Sequence, residues 1–224
     1  MIFGAVPLER ALGAILAHSL PLEGGRLRKG ALLGAEDLAL LRAEGVSHVT
    51  VAQLEPGDLA EDVAAARLAA ALVPDPAGQG LRIGPAATGR VNLNAECPGV
   101  VEVDAEAVLR LNRIHPAITL ATLAPLTRVT AGTLAGTVKI IAYAVPEAAL
   151  AAACAAARGA LRLRPVQMQT AGLILTEVPG QDAKLTAKGR RAVEARLAAL
   201  GMGLAGVAVV PHDSAAIAEA LQSL

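Results

Sequence analysis

Near the end of the chain, an apolar run of strand length, Ala171 to Thr176, precedes a polar loop (residues 177–184) and a helix-forming stretch reaching Leu200. A second apolar run, Leu204 to Val210, follows, and Pro211-His212-Asp213-Ser214 opens a final helix. Two strands joined through a helix return the chain in the same direction, whereas antiparallel neighbours need only a tight turn. This tail is therefore β–loop–α–β–α, the unit of a doubly wound parallel sheet. A boundary near Arg164-Pro165 divides the chain into a mixed α/β region, 1–164, and the start of a parallel α/β domain, 165–224.

The first region alternates between helix and strand signals. Ala35 to Glu44 carries Leu38, Leu40 and Leu41 on a helical stripe, and Gly45 is a helix stop. His48 to Leu54 alternates as a strand. Asp58 is placed to cap a helix running to Val73, with Glu61 and Asp62 in its first turn, where the helix dipole favours acids. The Pro- and Gly-rich stretch 74–80 has linker composition and marks a possible sub-boundary. Short strands are expected over 81–84, 89–94, 100–103, 118–122 and 133–143. Asp104 caps a helix to about Arg113, and Pro146 starts an Ala-rich helix ending near Arg158.

Composition limits the functions open to this chain. Its 224 residues include one Phe, one Tyr and no Trp, so the core must come from Leu, Val, Ile and Ala. Twenty basic and twenty acidic residues cancel, which leaves no basic footprint for nucleic acid, and aromatic stacking platforms are missing too. No apolar run is long enough to span a bilayer, and the N-terminus lacks the charged start of a signal peptide. Cys97 and Cys154 stand alone, forming neither a disulfide framework nor a metal site. These features lead to the expectation of a cytoplasmic protein with reduced thiols and no metal centre.

Candidate chemistry gathers in three places. Ligands of open parallel sheets bind beyond the carboxyl ends of the strands, where Thr176 stands. Lys184, Lys188, Arg190 and Arg191 lie around the start of the following helix, which Thr186 is placed to cap. Cations there oppose the macrodipole at a cost of about 0.3–1 kcal/mol each, which a bound phosphate would reverse. The competing reading is a solvated helix face. A second group, Asn112, Arg113, His115, Thr119 and Thr122 with Lys139 on a nearby strand, reads either as an anion grip or, more simply, as helix-end and local backbone hydrogen bonding. A third stretch, Arg90-Val-Asn92-Leu-Asn94-Ala-Glu96, puts polar groups on one strand face, which would be solvent, interface or pocket.

Lys29-Gly30 followed by Leu38, Gly45-Val46 and Val49-Thr-Val51 resembles a segment of the molybdopterin molybdenumtransferase family. The tail from Ala171 to Thr176, with the later strand reaching Asp213, resembles the opening of that family's molybdopterin-binding domain. Thr88-Gly89-Arg90-Val-Asn92, Leu111-Asn112-Arg113 and Thr137-Val-Lys139-Ile-Ile resemble a subgroup of molybdopterin-binding proteins, some of them fused to a nucleotidyltransferase. The resemblance implies that the chain binds molybdopterin or its nucleotide form in cofactor biosynthesis or handling. Thr176, Lys184, Lys188, Arg190 and Arg191 would be the binding residues.

The family's acidic loop after the strand is matched only at Thr176, because Glu177-Val178-Pro179-Gly180 replaces its carboxylates. The resemblance therefore implies binding rather than molybdate insertion. The tail supplies two β–α steps, whereas domains of this kind run to about 100–150 residues. The expectation is an incomplete domain, finished by further chain or by a second subunit in a homo-oligomer. The alternative is an oligomerisation or interaction module of a longer molybdenum-cofactor enzyme, without a ligand of its own.

Overall fold

The computed structural model describes residues 1–180 and 182–224, and the fold is mixed α/β. The first unit comprises β1 (Ile2–Pro7), β2 (Ile15–Leu16), β3 (Leu20–Leu22), β4 (Gly25–Leu27), α1 (Ala35–Ala43) and β5 (His48–Gln53). Central β5 pairs antiparallel with β1 and β2, while β3 and β4 form a separate hairpin. Leu8, Leu16, Leu33, Leu38, Leu41, Val49 and Val51 make a small dry core. Leu38 and Leu41 turn into it, but Leu40 does not share their stripe and is 55% exposed. Gly45 ends the α1 turn at φ +77°, a conformation that costs a residue with a Cβ about 1–2 kcal/mol.

The next unit holds β6 (Asp58–Ala60), α2 (Glu61–Leu72), α3 (Pro76–Gln79), β7 (Leu81–Ile83), β8 (Arg90–Ala95), β9 (Gly99–Val103) and α4 (Ala105–Asn112). It continues through β10 (Ile118–Thr122), β11 (Thr127–Val129), β12 (Leu134–Ile140), β13 (Ala144–Pro146), α5 (Glu147–Ala156) and β14 (Leu161–Pro165). The sheets β10-β12-β8-β7 and β11-β9-β14 and the pair β13-β6 are all antiparallel. Helix α2 buries Ala64, Ala65, Leu68, Ala69 and Leu72 at helical spacing. The small alanines let its backbone approach β8 and β12 closely, and each buried Leu contributes about 1.5–3 kcal/mol.

Two expectations need correction here. Asp58 does not cap α2, whose N-cap is Ala60. It lies in β6, where its carboxylate pairs with the Met1 ammonium at 2.7 Å and accepts the Glu55 N–H at 2.9 Å, contacts that, in that order, hold its pKa below the ordinary 3.8. The stretch 74–80 forms the Asp75-capped turn α3 rather than a free linker. Buried Gln79 accepts from the Asp75 N–H and donates to the carbonyls of Leu72 and Leu161. One continuous core cluster includes residues from both sides of that stretch.

The tail forms β15 (Thr170–Glu177), α6 (Ala183–Ala198), β16 (Gly203–Pro211) and α7 (Ser214–Ser223). The two strands pair in parallel from Thr170↔Gly203 to Glu177↔Pro211, as the β–α–β–α pattern requires. Among the described residues, β15 and β16 pair with each other alone, and Ala220 is the one buried residue after Pro165. Among the described residues, no helix is long and apolar enough to cross a membrane.

Candidate functional site

At the carboxyl end of β15, the Thr176 hydroxyl lies 2.8 Å from His212 Nδ1. The His212 N–H donates to the Glu177 carbonyl at 3.0 Å, and the Glu177 carboxylate accepts from the Thr186 hydroxyl at 2.9 Å. Asp213 caps α7 beside them, accepting from the Ala215 and Ala216 N–H groups. Thr176, Glu177, His212 and the Asp213 cap thus collect on one lip, where a parallel sheet presents its ligand edge.

The basic residues expected around the helix start are placed differently. Asp182, not Thr186, caps α6, accepting the Lys184 N–H at 2.9 Å. Its carboxylate out-competes a threonine inside the first turn, and the helix therefore begins earlier. Lys184 remains in the first turn, whereas Lys188, Arg190 and Arg191 fall in the second and third turns, all exposed. The dipole acts over the first turn, so its claim on an anion reaches Lys184 alone. Arg190 is occupied by Glu194 at 2.8 Å, an i,i+4 pair on the same helix. Gln181 lies outside the described residues.

Around Asn112, three side chains bond to backbone, those of Asn112 and Thr119 at longer range than the helix-end and local bonding expected. Asn112 exchanges two hydrogen bonds with the Leu120 backbone, His115 Nδ1 accepts the Ala117 N–H, and the Thr119 hydroxyl donates to the Lys139 carbonyl. These bonds join α4 to β10 and β10 to β12. The polar face of β8 is part solvent and part groove. Arg90, Asn92 and Asn94 line a shallow depression with Arg82, while Asn92 accepts from Thr137 and Asn94 donates to the Gly132 carbonyl.

The largest of the cavities described, about 410 Å³, lies elsewhere. Lys29, Gly30, Glu61, Thr88, Lys139, Ile141 and Tyr143 line it. Each wall has a local cause. Lys29 and Gly30 follow the β3–β4 hairpin and are fixed by Lys29 N–H to Ser19 Oγ and Gly30 N–H to the Leu16 carbonyl, at 2.9 and 2.8 Å. Glu61 opens α2, its N–H bound to the Tyr143 carbonyl at 2.9 Å. Thr88 adopts φ +50° and Gly89 φ +70° in the turn before β8. The Asp62 carboxylate holds that turn through the Gly89 N–H, and the Lys139 ammonium through the Thr88 carbonyl. A Cβ on Gly89 would fall 2.7 Å from the Ile140 carbonyl oxygen and 2.8 Å from Glu61 Oε2, so the turn requires glycine there.

The electrostatics of the cavity are uneven. Lys29 Nζ stands 5.6 Å from the centroid of the Tyr143 ring, and Phe3 stacks on that ring at 6.2 Å. The sole Phe and sole Tyr of the chain thus meet at this wall. Among the described residues, neither Lys29 nor Lys139 is within 4.0 Å of a carboxylate, and the Glu61 carboxylate accepts no hydrogen bond. Burial, reinforced by Asp62 and opposed by the two lysines, raises the Glu61 pKa above its ordinary 4.5. Sequence reasoning took Glu61 for a dipole-favoured surface acid and passed over Tyr143. The available signal was the rarity of aromatics, together with Lys29-Gly30, Thr88-Gly89 and Lys139, which stand far apart in sequence.

Residues 5–53 match a domain of unknown function, DUF8806, which corresponds to the first sheet, its helix and the loop bearing Lys29. No curated protein matches the chain, and no solved structure does. Among the described residues, no cluster of His, Cys, Asp or Glu could hold a metal ion.

Proposed function

We propose that this chain binds molybdopterin, or its nucleotide form, in the biosynthesis or handling of the molybdenum cofactor, as a cytoplasmic homo-oligomer. The observation that carries the reading is the parallel β15–α6–β16 crossover, which brings Thr176 and His212 to 2.8 Å at the strand carboxyl ends. That lip is where ligands of parallel α/β sheets bind. Lys184 in the first turn of α6 supplies a cation beside it; Lys188 and Arg191, four and seven residues on, extend that face, while Arg190 lies off it, paired with Glu194. The resemblance of the tail to a molybdopterin-binding domain supplies the ligand class.

A binding test follows, with purified molybdopterin titrated into the protein and followed by pterin fluorescence at low and raised salt. Saturable binding that weakens with salt, and that is lost in Lys184→Glu and Lys188→Glu, supports the reading. Unchanged affinity in both variants places any pterin elsewhere.

One observation favours a second reading, the interaction module. Among the described residues, strands β15 and β16 leave both outer edges unpaired, with Val209, Leu221 and Leu224 each at least half exposed. A folded oligomer whose melting temperature ignores excess molybdopterin would favour that reading over ligand binding.

A further inference from the structure

The cavity between the first two units shares no residue with the lip at β15 and β16, and its chemistry stands independently of the molybdopterin reading. Five separate segments build it: the loop after β4, the start of α2, the turn before β8, the strand β12 and the loop before β13. Two of them bring in ammonium groups whose charge no carboxylate within 4.0 Å neutralises among the described residues. Lys139 spends one N–H on the Thr88 carbonyl and keeps two others for a ligand. Lys29 rests against the Tyr143 ring, a contact that uses the charge but no hydrogen-bond acceptor.

A plain solvated surface does not account for this arrangement. The Thr88–Gly89 turn has left-handed backbone at two successive residues, one of them a threonine, and two side chains from different elements hold it in place. That turn sets the Lys139 ammonium and the Glu61 carboxylate on one rim. Glu61 is half-buried, and among the described residues no protein donor reaches its carboxylate, whose oxygens stay open to solvent or a ligand. Volumes of this size, about 300–1,000 Å³, are those of small-molecule sites.

We propose that this cavity is a binding site for a small phosphomonoester bearing hydroxyl groups, of the pentose phosphate kind. Its phosphate bridges Lys29 and Lys139, a sugar hydroxyl donates to Glu61, and its carbon face lies against Tyr143. Two ammoniums attract a phosphate dianion, and the Glu61 carboxylate on the same lining offsets one of their charges. Glu61 is the acidic group of the cavity lining, to which a sugar hydroxyl can donate and a bare phosphate dianion cannot. The Tyr143 wall favours an apolar face over a fully hydrated ion.

The test is titration calorimetry of the full chain with three probes: ribose 5-phosphate, inorganic phosphate and ribose. The expected result is saturable binding of ribose 5-phosphate, weaker binding of phosphate and none of ribose. Lys29→Met and Lys139→Met should each weaken ribose 5-phosphate by about tenfold or more, the loss of a charge-assisted contact. Glu61→Gln should strengthen inorganic phosphate, since a negative charge leaves the rim, and narrow the preference for ribose 5-phosphate. Lys139 also supports a turn, so Lys29→Met, on an exposed loop, is the variant that decides, with circular dichroism as the folding control. Absence of saturable ribose 5-phosphate binding to the wild type below about 10 mM overturns the proposal. So does unaltered affinity in a folded Lys29→Met variant, or binding of ribose as tight as that of its phosphate. Loss of binding in Lys184→Glu with Lys29→Met unaffected would also overturn it, assigning phosphate recognition to the tail.

Discussion

The Tyr143 hydroxyl donates to the Ala17 carbonyl at 2.8 Å, joining residues 126 apart in sequence and tying the first sheet to the second unit. Ala17 is buried, and its carbonyl would be left without this partner in Tyr143→Phe. The ring would stay, along with its stacking on Phe3. The expected loss is about 0.5–1.5 kcal/mol of unfolding free energy by urea titration, the usual worth of one such bond. A variant as stable as the wild type would mean that solvent already satisfies the Ala17 carbonyl.

Gln79 makes a sharper case. Its amide is the one buried polar side chain among the described residues, and it serves three backbone groups at 3.0, 3.1 and 2.6 Å. Gln79→Leu keeps the volume but leaves the buried carbonyls of Leu72 and Leu161 without this donor and the N–H of exposed Asp75 without this acceptor. Each unsatisfied buried group costs about 1–3 kcal/mol, so a total of about 2–4 kcal/mol is expected after some relaxation. Chemical denaturation checks it, and a loss below that of Tyr143→Phe would contradict the role given to this amide.

Why 74–80 read as a linker now has a physical answer. Pro and Gly mark a turn equally well whether it spans two domains or closes a tight corner within one core. Only the position of Gln79, which meets a carbonyl far along the chain, separates the two cases. The same holds for β11 and β14, short strands recognisable only once β9 stands between them. Local signals fared better: Asp104 and Asp213 cap their helices as their sequence neighbourhoods dictate, and the parallel tail followed from its alternation of apolar runs and helix. Thr186 misled because an Asp at the preceding turn is the stronger acceptor. The cavity was hidden because Lys29, Glu61, Thr88, Lys139 and Tyr143 meet only through tertiary packing.

The raised pKa of Glu61 has a thermodynamic consequence. When a carboxyl's folded pKa exceeds its unfolded value, the native state holds the proton more tightly. Its contribution to stability is then fully present below the unfolded pKa and lost as pH rises through the folded one. Glu61→Gln mimics the protonated form at all pH values. The stability difference between variant and wild type should therefore shift in favour of the glutamine as pH rises from about 4 to 7. Parallel urea titrations at the two pH values measure it. A difference that moves in favour of glutamate over that range would show that a partner, and not burial, governs this group.

Burial also raises the Cys154 thiol above its ordinary 9.0, with the Arg67 charge opposing the shift only in part. The thiolate is the reactive form, so alkylation of Cys154 by iodoacetamide at neutral pH should be slower than that of free cysteine. Peptide mass spectrometry over a time course reads the rate directly. Modification as fast as the free amino acid would place the thiol in water.

The last prediction concerns the uneven distribution of stability between core and tail. The cluster around α2, β8 and β12 is sealed, with Leu68, Leu93, Val138 and Ile140 at zero exposure. Among the described residues, the β15–β16 pair has two open edges, one buried neighbour in Ala220, and Val209 half exposed on its own strand. Backbone amides open with a free energy that follows local burial, from near zero up to the global value. Amides of β15 and β16 should therefore exchange with deuterium well before those of β8 and β12 in the isolated chain at low concentration. If oligomerisation covers those edges, protection of β15 and β16 should rise with protein concentration while that of β8 and β12 stays constant. Uniform protection across all four strands at every concentration would mean that the tail unfolds only with the core, and that contacts such as Val166 N–H to the Pro98 carbonyl, 3.1 Å, suffice to make the two one cooperative unit.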